Sequence, residues 1–307
     1  MSIGADVTDY SAALIPGAWA HEFVAANGAR FHVATAGFDT EGPLVVLIHT
    51  FGQFWWAWRH QIPALAAAGY RVAAVDLRGV AASDKPPSGY DVPTRTRDIA
   101  GMVRALGHSD AVVVGHGTGG EVAWAMAALQ PALTRGVVAL SCPHPARVHT
   151  PLTSMLTPAA LRWLAAAQVP SISERRLRNT DFLDRLFAMG AGVPLLPDDI
   201  AVYRAVMRIP FAAHTALEPL RWMVRIQGPR PDGRRYTLGV RRGLTLPTVQ
   251  VAGSLDGINR VAGIDTEGSA FSRDFRFTML DGVGHYLPEE APDEVNALLL
   301  EFMAGLG

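Results

Sequence analysis

Side chains that can do acid–base or nucleophilic chemistry recur in this sequence directly after short apolar segments. Histidine, aspartate and serine are residue types that act as general acids, general bases and nucleophiles. Ligands of open α/β sheets bind beyond the carboxyl ends of the strands, so these positions hold the candidate functional residues. They are His49-Thr50, Asp76, His116-Gly117, Ser141, Asp256 and His285.

The sequence around these positions alternates between strand-like and helix-like segments. A continuous apolar run such as residues 43–48 is typical of a strand buried on both faces of a parallel sheet. Asn27-Gly28 between two strand-like segments predicts a hairpin. Residues 145–239 show only helical patterns, and strand-like segments return at 247–251 and 275–280. We therefore predict an α/β fold with a mostly parallel central sheet, helices on both faces and a helical insertion.

The composition of the 307-residue chain is that of a globular protein without a strong charge bias. Hydrophobic residues make up 49%, and the formal net charge is -1. So many apolar residues can form a core, which excludes a disordered chain. A neutral charge balance argues against nucleic-acid binding, which needs a basic surface. The single cysteine, Cys142, excludes an intrachain disulfide and a cysteine-based zinc cluster.

Targeting, membrane and cofactor signals are not evident in the sequence. The N-terminal segment lacks a basic start followed by an apolar core, and no run of about 18 apolar residues occurs. We therefore expect a cytoplasmic protein that does not span a membrane. No nucleotide-binding glycine motif and no cluster of metal-ligating residues is found, so we expect neither a cofactor nor a metal.

Five segments give the sequence a specific resemblance to a known family. In their order and spacing they resemble the α/β-hydrolase fold family, most closely its epoxide hydrolase and haloalkane dehalogenase branch. The resemblance implies a core domain of residues 1–144 and 241–307 and a helical cap, or lid, of residues 145–240. The five segments are His49–Arg59, Asp76–Gly79, Gly115–Gly120, Gly253–Asp256 and Gly282–His285.

The resemblance also implies roles for individual residues. His285 matches the catalytic base, and Asp256 matches the carboxylate that orients it. The backbone N–H groups of Phe51 and Thr118 match the oxyanion hole. Gly117 stands where the family's G-x-nucleophile-x-G turn carries its nucleophile. The alternatives are a packed histidine and a turn aspartate, because Asp-Gly is also a good turn pair.

Gly117 is the main departure from the family pattern, which has serine, aspartate or cysteine at this position. Without a side chain, Gly117 cannot form a covalent intermediate. The volume it vacates leaves room for an ordered water that His285 would activate. Thr50, Val80 and Ala81 stand where the family often has glycine or other residues. These scattered changes favour natural divergence over a single engineered replacement.

Six further residues are predicted to line the pocket. The tryptophans among them would enclose an apolar ligand, although packing between the sheet and the cap is the alternative. The histidine before Gly117 has a second interpretation as a buried, hydrogen-bonded side chain. The six residues are His49, Trp55, Trp56, His116, Ser141 and Tyr203.

These observations predict a hydrolase-like enzyme, related to epoxide hydrolases, without a covalent nucleophile. Its dyad of His285 and Asp256 would act as a general base in a reaction of an epoxide, an activated ester or lactone, or a carbon acid. The alternative is a catalytically inactive ligand-binding or regulatory homologue, a pseudo-hydrolase. A third interpretation, partner binding through the arginine clusters of the cap, is weaker because such clusters are usually solvated. We expect a small hydrophobic organic ligand, no nucleic acid and no membrane partner. The sequence does not decide whether the chain forms a homodimer.

Overall fold

The computed structural model describes residues 9–145, 151–179, 181–226, 231–242, 244–261 and 269–306, with the backbone alone at 231–235. Its centre is one eight-stranded sheet with the strand order β1-β2-β4-β3-β5-β6-β7-β8. The strands are β1 (Ala20–Ala26), β2 (Ala29–Ala36), β3 (Leu44–Ile48), β4 (Arg71–Val75), β5 (Ala111–His116), β6 (Thr134–Leu140), β7 (Thr248–Gly253) and β8 (Phe275–Leu280).

The sheet is antiparallel at one edge and parallel elsewhere. β1 and β2 form the predicted hairpin, and β2 pairs antiparallel with β4. Asn27 and Gly28 both have positive φ, 43° and 75°, which suits the two-residue turn that follows the twist of a hairpin. From β4 to β8 every neighbouring pair is parallel. The predicted fold class is confirmed.

Helices cover the sheet and fill the insertion. In the described ranges the α-helices are α1 (Gln61–Ala67), α2 (Val92–Ala105), α3 (Thr118–Leu129), α4 (Leu152–Met155), α5 (Pro158–Ala167), α6 (Ile172–Asn179), α7 (Phe182–Gly190), α8 (Pro197–Val206), α9 (Ala212–Arg225), α10 (Pro231–Val240), α11 (Leu287–Glu290) and α12 (Pro292–Ala304). Short 3-10 helices lie at Tyr10–Ala13, Trp55–Trp58 and Pro131–Leu133.

The central strands show why their sequences are so apolar. Every residue of β3, β5 and β7 is buried, because helices lie on both faces of the sheet. β8 is only partly buried, since it pairs with β7 alone and forms the edge of the sheet. The buried strands end at one side of the sheet, which brings residues 49, 117, 141 and 256 to the same edge.

The insertion between β6 and β7 is helical throughout its described part, from α4 to α10. Three details differ from the sequence pattern, which predicts one helix over residues 55–68, one over 174–188 and none over 231–240. The stretch 55–68 is a 3-10 helix followed by α1, because Pro63 has no N–H to donate and is tolerated only in the first turn of a helix. The stretch 174–188 is divided between α6 and α7, and α10 was not anticipated.

Candidate active site

The turn between β5 and α3 is built around Gly117. Its φ of 50° and ψ of -116° lie where a residue with a Cβ is strained and glycine is not. The N–H of Gly117 donates to the carbonyl of Leu140 at 2.9 Å, which ties the turn to β6. A Cβ at Gly119 would lie 2.4 Å from the Ile48 carbonyl oxygen, so α3 approaches β3 too closely for a side chain there. The sequence therefore forms the family's sharp turn without its reactive group.

His285 and Asp256 meet at the carboxyl edge of the sheet. His285 Nδ1 lies 3.0 Å from Asp256 Oδ2, and both side chains are buried. The other carboxylate oxygen accepts the backbone N–H groups of Ile258 and Asn259 at 2.8 and 2.9 Å. Burial alone raises the pKa of Asp256, but the His285 ring and the hydrogen bonds from His285 and Asn259 outweigh it, so this pKa is lowered. An ionised Asp256 accepts the Nδ1 proton, and His285 Nε2 is left as the proton acceptor.

His285 Nε2 faces the position where relatives would carry a nucleophile. A Cβ on Gly117 would lie 3.2 Å from His285 Nε2. The carbonyl of His285 accepts hydrogen bonds from His116 Nε2 at 2.8 Å and from Ser141 Oγ at 2.7 Å. Asn259 Nδ2 donates to both Asp256 Oδ2 and the Ser141 carbonyl at 2.9 Å. Residues at the ends of three strands, β5, β6 and β7, thus hold His285 and Asp256 in place.

Thr50 fills part of the space that glycine leaves at residue 117. A Cβ on Gly117 would lie 2.0 Å from Thr50 Oγ1 and 2.8 Å from Thr50 Cβ. The expectation of a water directly at this position is therefore corrected, because a hydroxyl already occupies it. No hydrogen bond joins Thr50 Oγ1 to His285 in the described part of the chain. The imidazole does not activate this hydroxyl in the way that it activates a serine nucleophile.

The two predicted oxyanion donors lie in different environments. The Thr118 N–H donates to Thr50 Oγ1 at 3.3 Å. The Phe51 N–H donates to no acceptor within the described residues, and Phe51 lines the cavity. The Thr118 N–H is therefore already paired with the Thr50 hydroxyl, which keeps its own proton to donate.

Glu290 holds the loop that carries His285. Its Oε1 accepts the N–H of Tyr286 at 2.8 Å. Its Oε2 accepts the N–H groups of Gly284 at 2.8 Å, Gly192 at 2.8 Å and Val193 at 2.9 Å. One carboxylate thus joins the loop that carries His285 to the segment between α7 and α8. No sequence signal pointed to Glu290 or Asn259, because their partners lie on distant segments.

A cavity of about 130 Å³ opens above the dyad, between the core and the insertion. This volume is well above the roughly 15 Å³ that one water needs, so a water and a small ligand fit together. The lining is mostly apolar, and the insertion contributes Trp163, Leu186, Leu220 and Met223. Of the predicted site residues, the cavity lining includes Thr50, Phe51, Gly117, Thr118, Ser141 and His285.

Three aromatic residues predicted in the pocket lie elsewhere. Trp55 is fully buried, and its Nε1 donates to the Ala13 carbonyl at 2.8 Å. Trp56 packs edge-to-face against Trp19 and Trp55, with the Arg59 guanidinium above it. Tyr203 is fully buried, and its hydroxyl donates to Glu289 at 2.5 Å. Both tryptophans are therefore packing residues, but they pack against Trp19 and each other near the N-terminal segment and not between the sheet and the cap, as the alternative had it.

Two predicted histidines lie beneath the cavity rather than in its lining. His49 Nδ1 donates to the Thr50 carbonyl at 2.8 Å, and its Nε2 accepts the Leu77 N–H at 3.2 Å. Burial lowers the pKa of His49 to about 4. His116 is fully buried, and burial, with a smaller effect of the His285 ring, lowers its pKa to about 3. Both histidines therefore stay neutral near pH 7, and their rings form hydrogen bonds with backbone groups of neighbouring loops.

Three residues that the sequence interpretation missed line the cavity: Glu121, Trp163 and Tyr286. Of the three, Glu121 could most easily have been predicted from the sequence, since it lies one helical turn beyond Gly117. Trp163 and Tyr286 reach the cavity only through the packing of α5 and of the loop before α11. Among the described residues no group of three His, Cys, Asp or Glu side chains is placed to hold a metal. Nor does any helix there have the length and apolar character to cross a membrane.

Comparison with known proteins agrees with this geometry. The family model described as alpha/beta hydrolase fold matches residues 43–292. The AB hydrolase superfamily protein YfhM from Bacillus subtilis is 33% identical over 291 residues, covering 92% of this chain and 97% of that protein. Epoxide hydrolase A from Mycobacterium tuberculosis is 31% identical over 320 residues, covering 94% and 99%. The crystal structure of epoxide hydrolase A from Mycobacterium thermoresistibile has a TM-score of 0.78 at 26% identity, covering 94% and 98%.

The chain therefore belongs to the α/β-hydrolase fold family. Within that family it lies in the epoxide-hydrolase-like branch.

Proposed function

We propose that this protein is an enzyme of the hydrolase type that works without a covalent intermediate at residue 117. The observation that carries the proposal is the orientation of His285. Its Nδ1 contacts Asp256 at 3.0 Å, and its Nε2 lies 3.2 Å from the missing Cβ of Gly117, at the base of the cavity. A pure binding protein has no need of an oriented base facing its ligand.

His285 acts as a general base on water or directly on a substrate proton. Nε2 removes a proton from a water held beside Thr50, and the resulting hydroxide attacks an epoxide or acyl carbon. The bond to the leaving oxygen breaks, and that oxygen takes the proton back from the imidazolium. The Phe51 N–H and the Thr50 hydroxyl stabilise the developing negative charge. Because no covalent step divides the barrier, reactive substrates are favoured: an epoxide, an activated ester or lactone, or a carbon acid.

His285→Ala tests the base. Wild-type protein and the variant are assayed with styrene oxide, p-nitrophenyl acetate and a strained lactone. We expect the variant to lose about 10²–10⁴-fold in kcat/KM, because this is the usual contribution of a general base. His108→Ala, at a half-buried position outside the cavity lining, is the matched control and keeps wild-type rates. Equal turnover by His285→Ala and wild type would show that the imidazole is not the base.

Single turnover in isotopically labelled water separates direct attack from a covalent route. Direct attack places solvent oxygen in the product of the first turnover. With styrene oxide as substrate, a route through a protein carboxylate places an unlabelled carboxylate oxygen in the product and labels the protein instead, because water then attacks the carbonyl carbon of the enzyme ester. Mass spectrometry of product and protein reads both outcomes. Unlabelled product in the first turnover would contradict the proposal and identify a carboxylate nucleophile elsewhere in the protein.

The second candidate function is a catalytically inactive ligand-binding or regulatory homologue. It is favoured by one observation, the use of the Thr118 N–H by Thr50 Oγ1, which occupies an oxyanion donor before any substrate binds. In this case wild-type protein binds apolar ligands in the cavity but turns over none of the panel. His285→Ala would then bind the same ligands with unchanged affinity, as measured by calorimetry.

A further inference from the structure

Glu121 is an acid in the cavity that the proposed mechanism does not use. It lies in the first turn of α3, where its N–H donates to the Gly117 carbonyl at 3.3 Å. Residues four apart share one face of a helix, so the Glu121 side chain lies on the same face of α3 as Gly117. Glu121 and His285 line the same cavity. Among the described residues of that lining, Glu121 is the one that carries a carboxyl group.

The Glu121 carboxyl has no partner within the described chain. It accepts no hydrogen bond from these residues, and it forms no ion pair with the nearby Arg95. Arg95 is itself buried, and its Nε lacks an acceptor. Buried carboxyl groups normally carry hydrogen bonds or a counter-charge, and an unpaired one costs free energy. An acid kept unpaired in a mostly apolar cavity is available to a ligand.

We propose that Glu121 is a ligand-binding residue that selects small apolar molecules carrying an amine. The ammonium group would donate to the carboxylate, and the hydrocarbon part would contact the apolar wall formed by the insertion. A charge-assisted hydrogen bond in a site poor in water is stronger than a neutral one. This inference names the substrate class of the proposed enzyme and rests on the same cavity. It does not depend on which residue performs the chemistry.

The groups around Glu121 set how the selection changes with pH. Burial raises the pKa of Glu121 to about 7, while Arg95 opposes the shift. Arg95 stays charged near neutral pH, since burial lowers its pKa only to about 10. Burial raises the pKa of Cys142 and of Tyr236 well above their usual values, so both stay neutral. Two further titratable groups line the same cavity, His285 and Tyr286, and burial raises the pKa of Tyr286 well above its usual value, so Tyr286 stays neutral.

Three probes of matched shape test the selection: benzylamine, benzyl alcohol and toluene. Their dissociation constants are measured by ligand-observed NMR for wild type, Glu121→Gln and Glu301→Gln. We expect wild type at about pH 8 to bind benzylamine at least roughly tenfold more tightly than toluene, as one charge-assisted hydrogen bond allows. Glu121→Gln loses that preference and keeps its toluene affinity. Glu301→Gln, an exposed and isosteric control, behaves like wild type.

The pH profile and a second background complete the test. Wild-type affinity for benzylamine rises as the pH increases through about 7, because the carboxylate form binds the ammonium, and Glu121→Gln shows no such rise. In a His285→Ala background the amine preference persists, which separates this inference from the proposed catalysis. Benzylamine binding no tighter than toluene, no binding of any probe, or a preference retained by Glu121→Gln would each overturn the inference.

Discussion

Gly117 and Thr50 form one structural unit. The backbone at Gly117 has a conformation that strains any residue with a Cβ, and glycine removes that strain. Thr50 occupies the space beside it, with its Oγ1 2.0 Å from the position of a Cβ. Residues 50 and 117 therefore share one small volume, which the side chain of Thr50 already occupies. A side chain can be added at 117 only if the one at 50 is removed.

The single substitution Gly117→Asp is expected to destabilise the protein. It combines the strain of a positive φ with a clash against the side chain of Thr50, and we expect a loss of about 2–4 kcal/mol in the free energy of unfolding. Urea denaturation measures this loss. A variant more stable than wild type would show that Gly117 does not occupy the sharp turn.

The double substitution Thr50→Gly/Gly117→Asp is the matched control. Removing the Thr50 side chain relieves the clash but not the backbone strain, so stability should lie between the single variant and wild type. The double variant also places a carboxylate beside His285 Nε2. Mass spectrometry after incubation with styrene oxide should then detect a protein adduct that wild type does not form. Equal stability of the single and double variants would contradict the role of Thr50.

At the scale of elements, the loop before α11 determines where the His285 ring points. Glu290 accepts four backbone N–H groups, and these belong to both the His285 loop and the segment between α7 and α8. A carboxylate with this many donors is a positioning residue, because it fixes the loop without touching the substrate. The insertion is therefore attached directly to the loop that carries His285.

Glu290→Ala is expected to weaken both the fold and the position of His285. Four donors lose their acceptor, and we expect a cost of about 2–4 kcal/mol in the free energy of unfolding, because some of them can rebind water. Glu294→Ala, an exposed neighbour on α12, is the control and should change stability little. If Glu290→Ala unfolds at the same urea concentration as Glu294→Ala, the loop is held by other contacts.

At the scale of the whole molecule, the core and the insertion enclose the cavity together. Arg59 links them, since its guanidinium contacts Asp199 of α8 at 2.7 Å and Glu289 of α11 at 3.1 Å. The closure buries Glu121 in apolar surroundings, which raises the pKa of its carboxyl to about 7 from 4.5. The pH dependence of stability and the proposed ligand selection thus depend on the same residue.

This burial predicts a pH dependence of stability. The pKa of Glu121 in the folded protein, about 7, lies above its unfolded value of 4.5. The contribution of the neutral, buried carboxyl to the free energy of unfolding is therefore fully present below pH 4.5, and it is lost as the pH rises through about 7. Relative to wild type, Glu121→Gln should therefore gain stability between pH 5 and pH 8, by at most about 3 kcal/mol. Urea denaturation of both proteins across this range measures the difference. A constant difference would show that Glu121 is not buried in the folded protein.

The sequence by itself determined the fold class and the residues at the carboxyl edge of the sheet. Buried strands need continuous apolar runs, and turns need particular residues, so short-range pattern was sufficient for the parallel sheet and for the hairpin at Asn27-Gly28. The family motifs added Asp256 and His285, which the structure places 3.0 Å apart. The helices of the insertion were less well predicted, because their ends depend on packing between elements.

Only the tertiary structure decided which side chains share the cavity. Trp55 and Tyr203 were predicted there and instead fill the interior, while Glu121 and Trp163 were missed and line the cavity. Thr50 enters the space at Gly117 from a segment 67 positions earlier in the chain. Such contacts depend on the direction and volume of side chains from distant segments, so a local pattern of residue types cannot predict them.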